Sequence, residues 1–253
     1  MEKSKIEEEL KSYGVFGYST LEDKRVVLLQ SGGLDSCFLA SLFSYYGFDI
    51  HHLFVNYGQN SYSKELECAL KIVDRYGGDL HTCDLRLPWL EKSTSLVNGT
   101  VNDWGADKKF NSIYENTYVP MRNAMLLSVA SSLCESIDVP YIACAFDGDE
   151  GIVDHKPCGG TTDKHPTFVR KMEDALIEGS SMYHVHGKSI RILTPIMSKF
   201  KETTIYLGSL INTDFSLSWS CYNRGDKPCC KCSACSTRIK AFENVGLVDP
   251  LLL

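Results

Sequence analysis

Residues 25–36, RVVLLQSGGLDS, constrain this chain more than any other stretch. RVVLLQ (25–30) is a continuous apolar run with β-branched residues, the pattern of a central strand buried on both faces. Gly32 and Gly33 break that run, and residues 35–46 then read as an apolar helix ending at Gly47. A buried strand that turns on glycines straight into a helix is one step of an alternating α/β fold.

The rest of the chain repeats the step. Residues 4–12 read as a short charged helix. IHHLFVN (50–56) is strand-like, 62–76 is helical with Gly77 and Gly78 as stop signals, and DLHTCDL (79–85) is strand-like again. Residues 86–117 are polar and aperiodic, mostly loop. A helix is expected over 121–137, a buried strand over 141–146, and a Gly- and Asp-rich loop over 147–165. A helix over 166–178 opens on Pro166, where proline is well placed. RILTP (191–195) closes the strand series and 199–208 is helical. Strands alternating with helices predict a doubly wound parallel sheet with right-handed crossovers, and ligands in such sheets sit beyond the carboxyl ends of the strands. The expected organisation is an N-terminal extension (1–24), an α/β domain (25–215) and a cysteine-rich C-terminal segment (216–253).

Charge narrows the function classes. The 253 residues hold 26 Lys and Arg against 32 Asp and Glu, a net charge of −6. That gives no general pull toward nucleic acid or anionic lipid. No apolar run approaches the ~20 residues of a membrane-spanning helix. The N-terminus, MEKSKIEEELKSYG, lacks the apolar core of a signal peptide, so a cytoplasmic chain is expected. The eleven cysteines then argue for metal or catalysis rather than disulfides.

SGGLDS stands where a phosphate cradle belongs. Gly32 and Gly33 let the backbone approach an anion, the first N–H groups of the following helix point at it, and Ser31 and Ser36 add hydroxyls. It is neither a Walker A sequence nor GxGxxG, and the plain alternative is a tight strand–helix turn.

Five of the cysteines fall between Cys221 and Cys235. Cys221, Cys229, Cys232 and Cys235 have spacings that let four thiolates converge on one tetrahedral ion. Structural Zn²⁺ is the expectation, pinning the tail onto the sheet domain. An iron–sulfur site or free thiols are the alternatives. Cys230 is a bystander, or replaces Cys229 by a one-residue shift. A catalytic thiol needs exposure: Cys37 and Cys144 fall in core elements, which leaves Cys158 in the loop.

SGGLDS resembles the PP-loop of the ATP pyrophosphatases, SGGxDS, which cut ATP between the α- and β-phosphates. The resemblance implies that a substrate oxygen attacks the α-phosphate, with Mg²⁺ clamping the pyrophosphate. Further segments resemble one branch, the 7-cyano-7-deazaguanine synthases (QueC type). These are Tyr57-Gly58-Gln59 with Glu65; Tyr118-Val119-Pro120-Met121-Arg122-Asn123, where the family usually reads YVPGRN; Thr194-Pro195 with Lys201; Ser220-Cys221-Tyr222; and the cysteine tail ending at Arg238, with Asp249-Pro250 beyond. The likeness implies catalytic roles for Ser31, Asp35, Ser36 and Lys201. It implies nucleotide contacts from Ser31, Gly32, Gly33, Leu34, Asp35, Ser36, Tyr57, Gln59, Arg122 and Asn123, with Arg122 and Lys201 on phosphates. The bland readings are a surface ion pair for Arg122 and an exposed helix lysine for Lys201. The implied reaction converts 7-carboxy-7-deazaguanine to the nitrile with ATP and ammonia through two adenylations, in a homodimer.

The departure lies at 145–168. The family's DYSGYPDCRPEF-like segment is replaced by AFDGDEGIVDHKPCGGTTDKHPTF, about ten residues longer. Asp147 and Asp163 align with it and are the implied substrate contacts. Asp163 would pair with the guanine-like N–H edge, or cap the helix at 166–178. Asp147, Asp149, Glu150 and Asp154 attract an amine larger than ammonia, or form a solvated acidic loop. QueC-like proteins of anti-phage operons suggest amide conjugation to a protein amine as the alternative activity. Sulfur transfer on tRNA and non-catalytic nucleotide binding complete the alternatives.

Overall fold

From Arg25 onward strands and helices alternate as the apolar pattern requires. The computed structural model describes residues 3–99, 117–147, 152–153, 156–157 and 162–252. Its elements are α1 (Lys3–Ser12), β1 (Arg25–Leu29), α2 (Leu34–Tyr45), β2 (Asp49–Asn56), α3 (Tyr62–Tyr76), β3 (Asp79–Asp84), α4 (Arg122–Ile137), β4 (Tyr141–Ala143), β5 (Ile152–Val153), β6 (Lys156–Pro157), α5 (Pro166–Glu178), α6 (Ser181–His186), β7 (Arg191–Leu193), α7 (Lys201–Leu210) and α8 (Ser233–Asn244). One sheet has the order β3-β2-β1-β4-β7 with every pair parallel; β5 and β6 pair antiparallel apart from it.

β1 shows why its sequence is apolar without alternation. Val26 and Leu28 pack on one side with Phe38 and Leu42 of α2, Ile205 of α7 and Phe242 of α8. Val27 packs on the other with Leu127 and Ala130 of α4 and Val169 of α5. Both faces of the sheet are covered, so the doubly wound α/β class holds. α2 is enclosed too, with Leu34 and every residue from Ser36 to Phe43 buried. Among the described residues no helix is long and apolar enough to cross a membrane.

Several boundaries differ from the sequence expectation. The expected strand 141–146 leaves the ladder after Ala143, although the Cys144 N–H still donates to the Leu193 carbonyl at 2.9 Å. The expected strand 191–195 stops at Leu193, ahead of a proline that has no N–H to give. The helix expected at 199–208 runs from Lys201 to Leu210, because 194–199 is spent on two turns, Met197 N–H to Thr194 O and Lys199 N–H to Ile196 O. A short turn of 3-10 helix, Pro88–Lys92, stands in the expected 86–117 loop. α6 and α8 were not expected. The cysteines of the tail mask the helical period of α8, and α6 spans only six residues.

The tail is held by more than cysteines. Arg238 of α8 is 2% exposed, and its guanidinium grips Asp249 through Nε to Oδ2 (2.8 Å) and Nη2 to Oδ1 (2.9 Å). The remaining donors reach Ser218 Oγ (2.8 Å), Ser220 Oγ (3.2 Å) and the Phe215 carbonyl (3.1 Å). The planar fork is saturated, the condition under which a buried ion pair is tolerated. Asp249→Asn is expected to strand this buried guanidinium and to cost about 3–5 kcal/mol in denaturant unfolding. The apolar pair Arg238→Met with Asp249→Leu should recover most of that loss.

Candidate functional site

From β1 the sheet grows outward through β2 and β3 on one side and through β4 and β7 on the other. This reversal opens a crevice at the carboxyl end of β1. Gln30, Ser31, Gly33, Leu34 and Asp35 line a cavity of about 500 Å³ there. Gly32 has φ +72°, and any Cβ on it would collide with the Glu65 carbonyl oxygen. Its N–H donates to Gln30 Oε1 (3.0 Å) and its carbonyl accepts from the Trp219 N–H (2.8 Å). The Gly33 N–H donates to Ser31 Oγ (3.2 Å), which lies 3.2 Å from Ser36 Oγ; Ser36 Oγ in turn donates to the Gly33 carbonyl (3.0 Å). Gly33 is the N-cap of α2 and offers no side-chain cap. The first-turn N–H groups of Leu34, Asp35 and Ser36 therefore have no partner within the helix, and the helix dipole adds positive potential at that end. The turn is built to receive an anion.

Behind it lies a cluster of buried charges. Lys201 Nζ donates to Asp35 Oδ2 (2.6 Å) and Asp147 Oδ2 (2.8 Å), and Lys164 Nζ lies 3.5 Å from Asp147 Oδ1. Burial alone would raise the Asp147 pKa, but Lys201 and Lys164 outweigh it and hold it at about 2. Asp35 moves upward, because burial and the adjacent Asp147 charge outweigh Lys201. Burial disfavours the Lys201 ammonium, yet its two carboxylates keep it above the ordinary lysine value. Asp35 Oδ1 is buried with no hydrogen-bond partner.

A second group of polar residues forms the opposite wall. Gln59 accepts from the Tyr57 N–H (3.0 Å) and donates to the Val55 carbonyl (3.3 Å) and Glu65 Oε2 (3.0 Å); Ser61 Oγ donates to Glu65 Oε1 (2.7 Å). The Arg122 guanidinium hydrogen-bonds Tyr57 and faces Glu65. Burial raises both the Tyr57 and the Glu65 pKa, and the Arg122 charge opposes it in each case.

The Sγ atoms of Cys221, Cys229, Cys232 and Cys235 all lie within 4.8 Å of one another. A tetrahedral ion with Zn–S bonds of about 2.3 Å has S–S edges of about 3.8 Å, so the donor set fits one. Backbone N–H groups already face the sulfurs, Cys229 N to Cys221 Sγ at 3.3 Å and Cys232 N to Cys229 Sγ at 3.4 Å, as suits thiolates. Cys230 is exposed at φ +56°, with its sulfur turned to the Pro228 carbonyl.

Residues 25–246 match the family model described as Queuosine biosynthesis protein QueC. A curated 7-cyano-7-deazaguanine synthase from Chlorobaculum parvum is 32% identical over 230 residues, 90% of this chain and 95% of its own. Another, from Methanosphaerula palustris, is 33% identical over 229 residues, 90% of this chain and 98% of its own. Among solved structures, NMN synthetase from Francisella tularensis aligns at TM-score 0.47 and 11% identity over 98% of this chain and 87% of that one.

The chain belongs to the QueC family. Its PP-loop residues, Tyr57, Gln59, Arg122, Asn123, Asp147 and Lys201 all line the one cavity, except Gly32 and Ser36, which shape it from behind. Lys201 is not the exposed helix lysine of the bland reading; its side chain is 13% exposed. Asp163 does not cap α5. That cap is His165 Nδ1, which accepts from the Thr167 N–H at 3.0 Å. The Asp163 carboxylate is buried and accepts from the Asn123 N–H (3.0 Å) instead, so it caps α4. α4 needs such a cap because its own N-cap, Met121, offers no side-chain bond. Met121 stands at φ +53°, where the family's usual glycine adopts that backbone without strain. Cys158, Asp149, Glu150 and Asp154 lie outside the described residues.

Sequence reasoning missed the share of the tail in the cavity, where Trp219, Ser220, Tyr222, Ser233, Ala234 and Thr237 line it. It also missed Lys164 and Gln30, single residues without a motif.

Gly32→Ala is expected to cost roughly 1–3 kcal/mol, since it adds backbone strain to a collision with rigid main chain; chemical denaturation measures it. Cys230→Ala should leave bound metal unchanged by elemental analysis, whereas Cys229→Ala should abolish it.

Proposed function

We propose that this chain adenylates 7-carboxy-7-deazaguanine with ATP and passes the activated acid to ammonia, giving 7-cyano-7-deazaguanine through the amide. The observation that carries the reading is the α2 cradle. Three N–H groups with no partner within the helix and the Ser31 hydroxyl, braced by Ser36, meet at the switch point of a doubly wound sheet, beside a cavity of about 500 Å³ within the range of small-molecule sites. The curated relatives are 7-cyano-7-deazaguanine synthases over nearly the whole chain.

Ser31 to Ser36 hold the β- and γ-phosphates, and Arg122 and Lys201 donate to phosphate oxygens. A carboxylate oxygen of the acid attacks the α-phosphorus, and pyrophosphate leaves into the cradle. Ammonia attacks the acyl adenylate, releasing AMP and forming the amide. In a second cycle the amide oxygen takes the AMP group from another ATP. Loss of AMP and a proton leaves the nitrile. Water has to be kept from the acyl adenylate, which would otherwise hydrolyse, and bound substrates filling the cavity would do this. Mg²⁺ travelling with ATP would find Asp35 Oδ1, a buried cavity-side oxygen without a hydrogen-bond partner, and supply further neutralisation of the pyrophosphate. Zn²⁺ at the four cysteines is structural, because a full thiolate shell leaves no open position. Asp147, on the cavity wall, serves the deazaguanine acid through its charge cluster, whereas Asp163 lies outside the cavity lining and acts by holding the Asn123 end of α4.

Pyrophosphate release is expected to need both ATP and 7-carboxy-7-deazaguanine, and mass spectrometry with ammonium present should detect the amide and then the nitrile. Asp35→Ala combined with Ser36→Ala should lower turnover by roughly 10²–10³. Pyrophosphate release with neither amide nor nitrile, accompanied by a mass increase on a protein added as amine donor, would replace the synthase reading by conjugation. No pyrophosphate release at all would remove both.

A further inference from the structure

Gln30 and His52 have no part in the chemistry above, yet they form a hydrogen-bonded chain that ends on the phosphate turn. Gln30 is 2% exposed and His52 of β2 is fully buried. At one end the Gly32 N–H, which can only donate, meets Gln30 Oε1 at 3.0 Å. At the other end the Gly77 carbonyl, which can only accept, lies 3.0 Å from His52 Nε2. These two ends decide everything between them. His52 must carry its proton on Nε2, which leaves Nδ1 a bare acceptor. Gln30 must then present its amino group to Nδ1, 3.4 Å away, and so its oxygen to Gly32. The reverse amide orientation would set donor against donor at Gly32 and acceptor against acceptor at His52. Burial pushes the His52 pKa down to about 4, which keeps the imidazole neutral. The far anchor is itself constrained, since a side chain on Gly78 (φ +100°) would collide with the Ile50 carbonyl and come within 3.2 Å of His52 Cδ2.

We infer that Gln30, oriented by His52, is a positioning residue for nucleotide binding: it holds the Gly32 peptide in the left-handed turn that aims the N–H groups at the start of α2 into the cavity. The Gly32 carbonyl is fixed from the other side by the Trp219 N–H, so the peptides flanking this glycine are held on both sides. The inference rests on the reading of residues 31–36 as the triphosphate site. His52 acts on that site only through Gln30. Its effect on nucleotide binding should therefore vanish once Gln30 is gone, which a purely packing role would not produce.

The test uses the full chain carrying Gln30→Met, His52→Phe or both. It reads ATP KM and kcat for pyrophosphate release with 7-carboxy-7-deazaguanine and ammonium, together with the Gly32 amide resonance and its hydrogen exchange in ¹⁵N-labelled protein. Gln30→Met is expected to raise ATP KM roughly tenfold with kcat changed less than about threefold. His52→Phe should raise it roughly threefold, and the double variant should match Gln30→Met alone. All three should shift the Gly32 amide and speed its exchange. An unchanged ATP KM in Gln30→Met, or a His52→Phe effect that multiplies on top of it, overturns the inference. Gln30→Asn, too short to reach Gly32, serves if Gln30→Met does not fold, with the same expectation. If wild-type protein neither releases pyrophosphate nor shows ATP-dependent shifts in the amides of 31–36, the function reading fails. The relay is then judged on Gly32 exchange without nucleotide, where no acceleration in either single variant overturns it.

Discussion

Lys201 places one ammonium between two carboxylates, 2.6 Å from Asp35 and 2.8 Å from Asp147, with little access to water. This contact joins the start of α2, the segment that follows β4 and the start of α7, separated by up to 166 residues in sequence. Removing these charges from water costs several kcal/mol per ion, and their attraction repays it only where geometry is close. Lys164 brings a second cation to the same carboxylates, so the cluster of two acids and two bases is neutral as a whole. An apolar cluster of equal volume would hold these segments at least as firmly. What the charges add is a shared orientation. The segments that follow β1 and β4 are tied to the same ammonium at the start of α7, which fixes their mutual orientation at the cavity.

The C-terminal segment completes this floor from outside the sheet. Trp219 takes the Gly32 carbonyl, and its indole N–H donates to the Cys221 carbonyl at 2.8 Å, adjoining the first cysteine of the quartet. From there the cysteines reach α8, and Arg238 on α8 returns to Ser218 and Phe215, directly before Trp219. The path closes on itself. The tail is therefore a brace against the phosphate turn, and a metal in the quartet would fix the link from Cys221 to α8.

Much of this was legible before any coordinates. The two-sided burial of β1 follows from RVVLLQ, and the limits of α3 and α5 follow from glycine and proline punctuation. The cradle follows from the order strand, glycine pair, helix, and the metal quartet from cysteine spacing. Hidden elements were those whose sequence carries two messages. α8 reads first as a cysteine motif and only second as a helix. Asp163 stands three residues before a helix and looks like its cap, but the carboxylate turns toward a helix 40 residues earlier in the chain. Lys201 sits at the start of an ordinary helix, and nothing local says that two acids wait for it. These are long-range pairings between single polar residues, which periodicity does not encode. Gln30 belongs with them, because its role depends on the Gly77 carbonyl across β2.

The segment between Asp147 and Lys164 follows the same logic. Asp147 opens it and Thr162–Lys164 closes it. Both ends are tied to the site: Asp147 to Lys201, Asp163 to the first turn of α4, and Lys164 back to Asp147. The two ends are thus joined to each other by an ion pair as well as by the chain between them. Closing a loop of greater length costs little once its ends are held, since the entropy rises only with the logarithm of length. The length of the chain between these ends therefore bears little on the phosphate turn. Met121 tells the complementary story at the start of α4. A side chain in the left-handed region is strained by about 1–2 kcal/mol, yet Asp163 caps the helix that follows and keeps Arg122 and Asn123 on the cavity wall. In both places a second, distant contact holds the geometry: Lys201 and Lys164 hold Asp147, and Asp163 holds the first turn of α4.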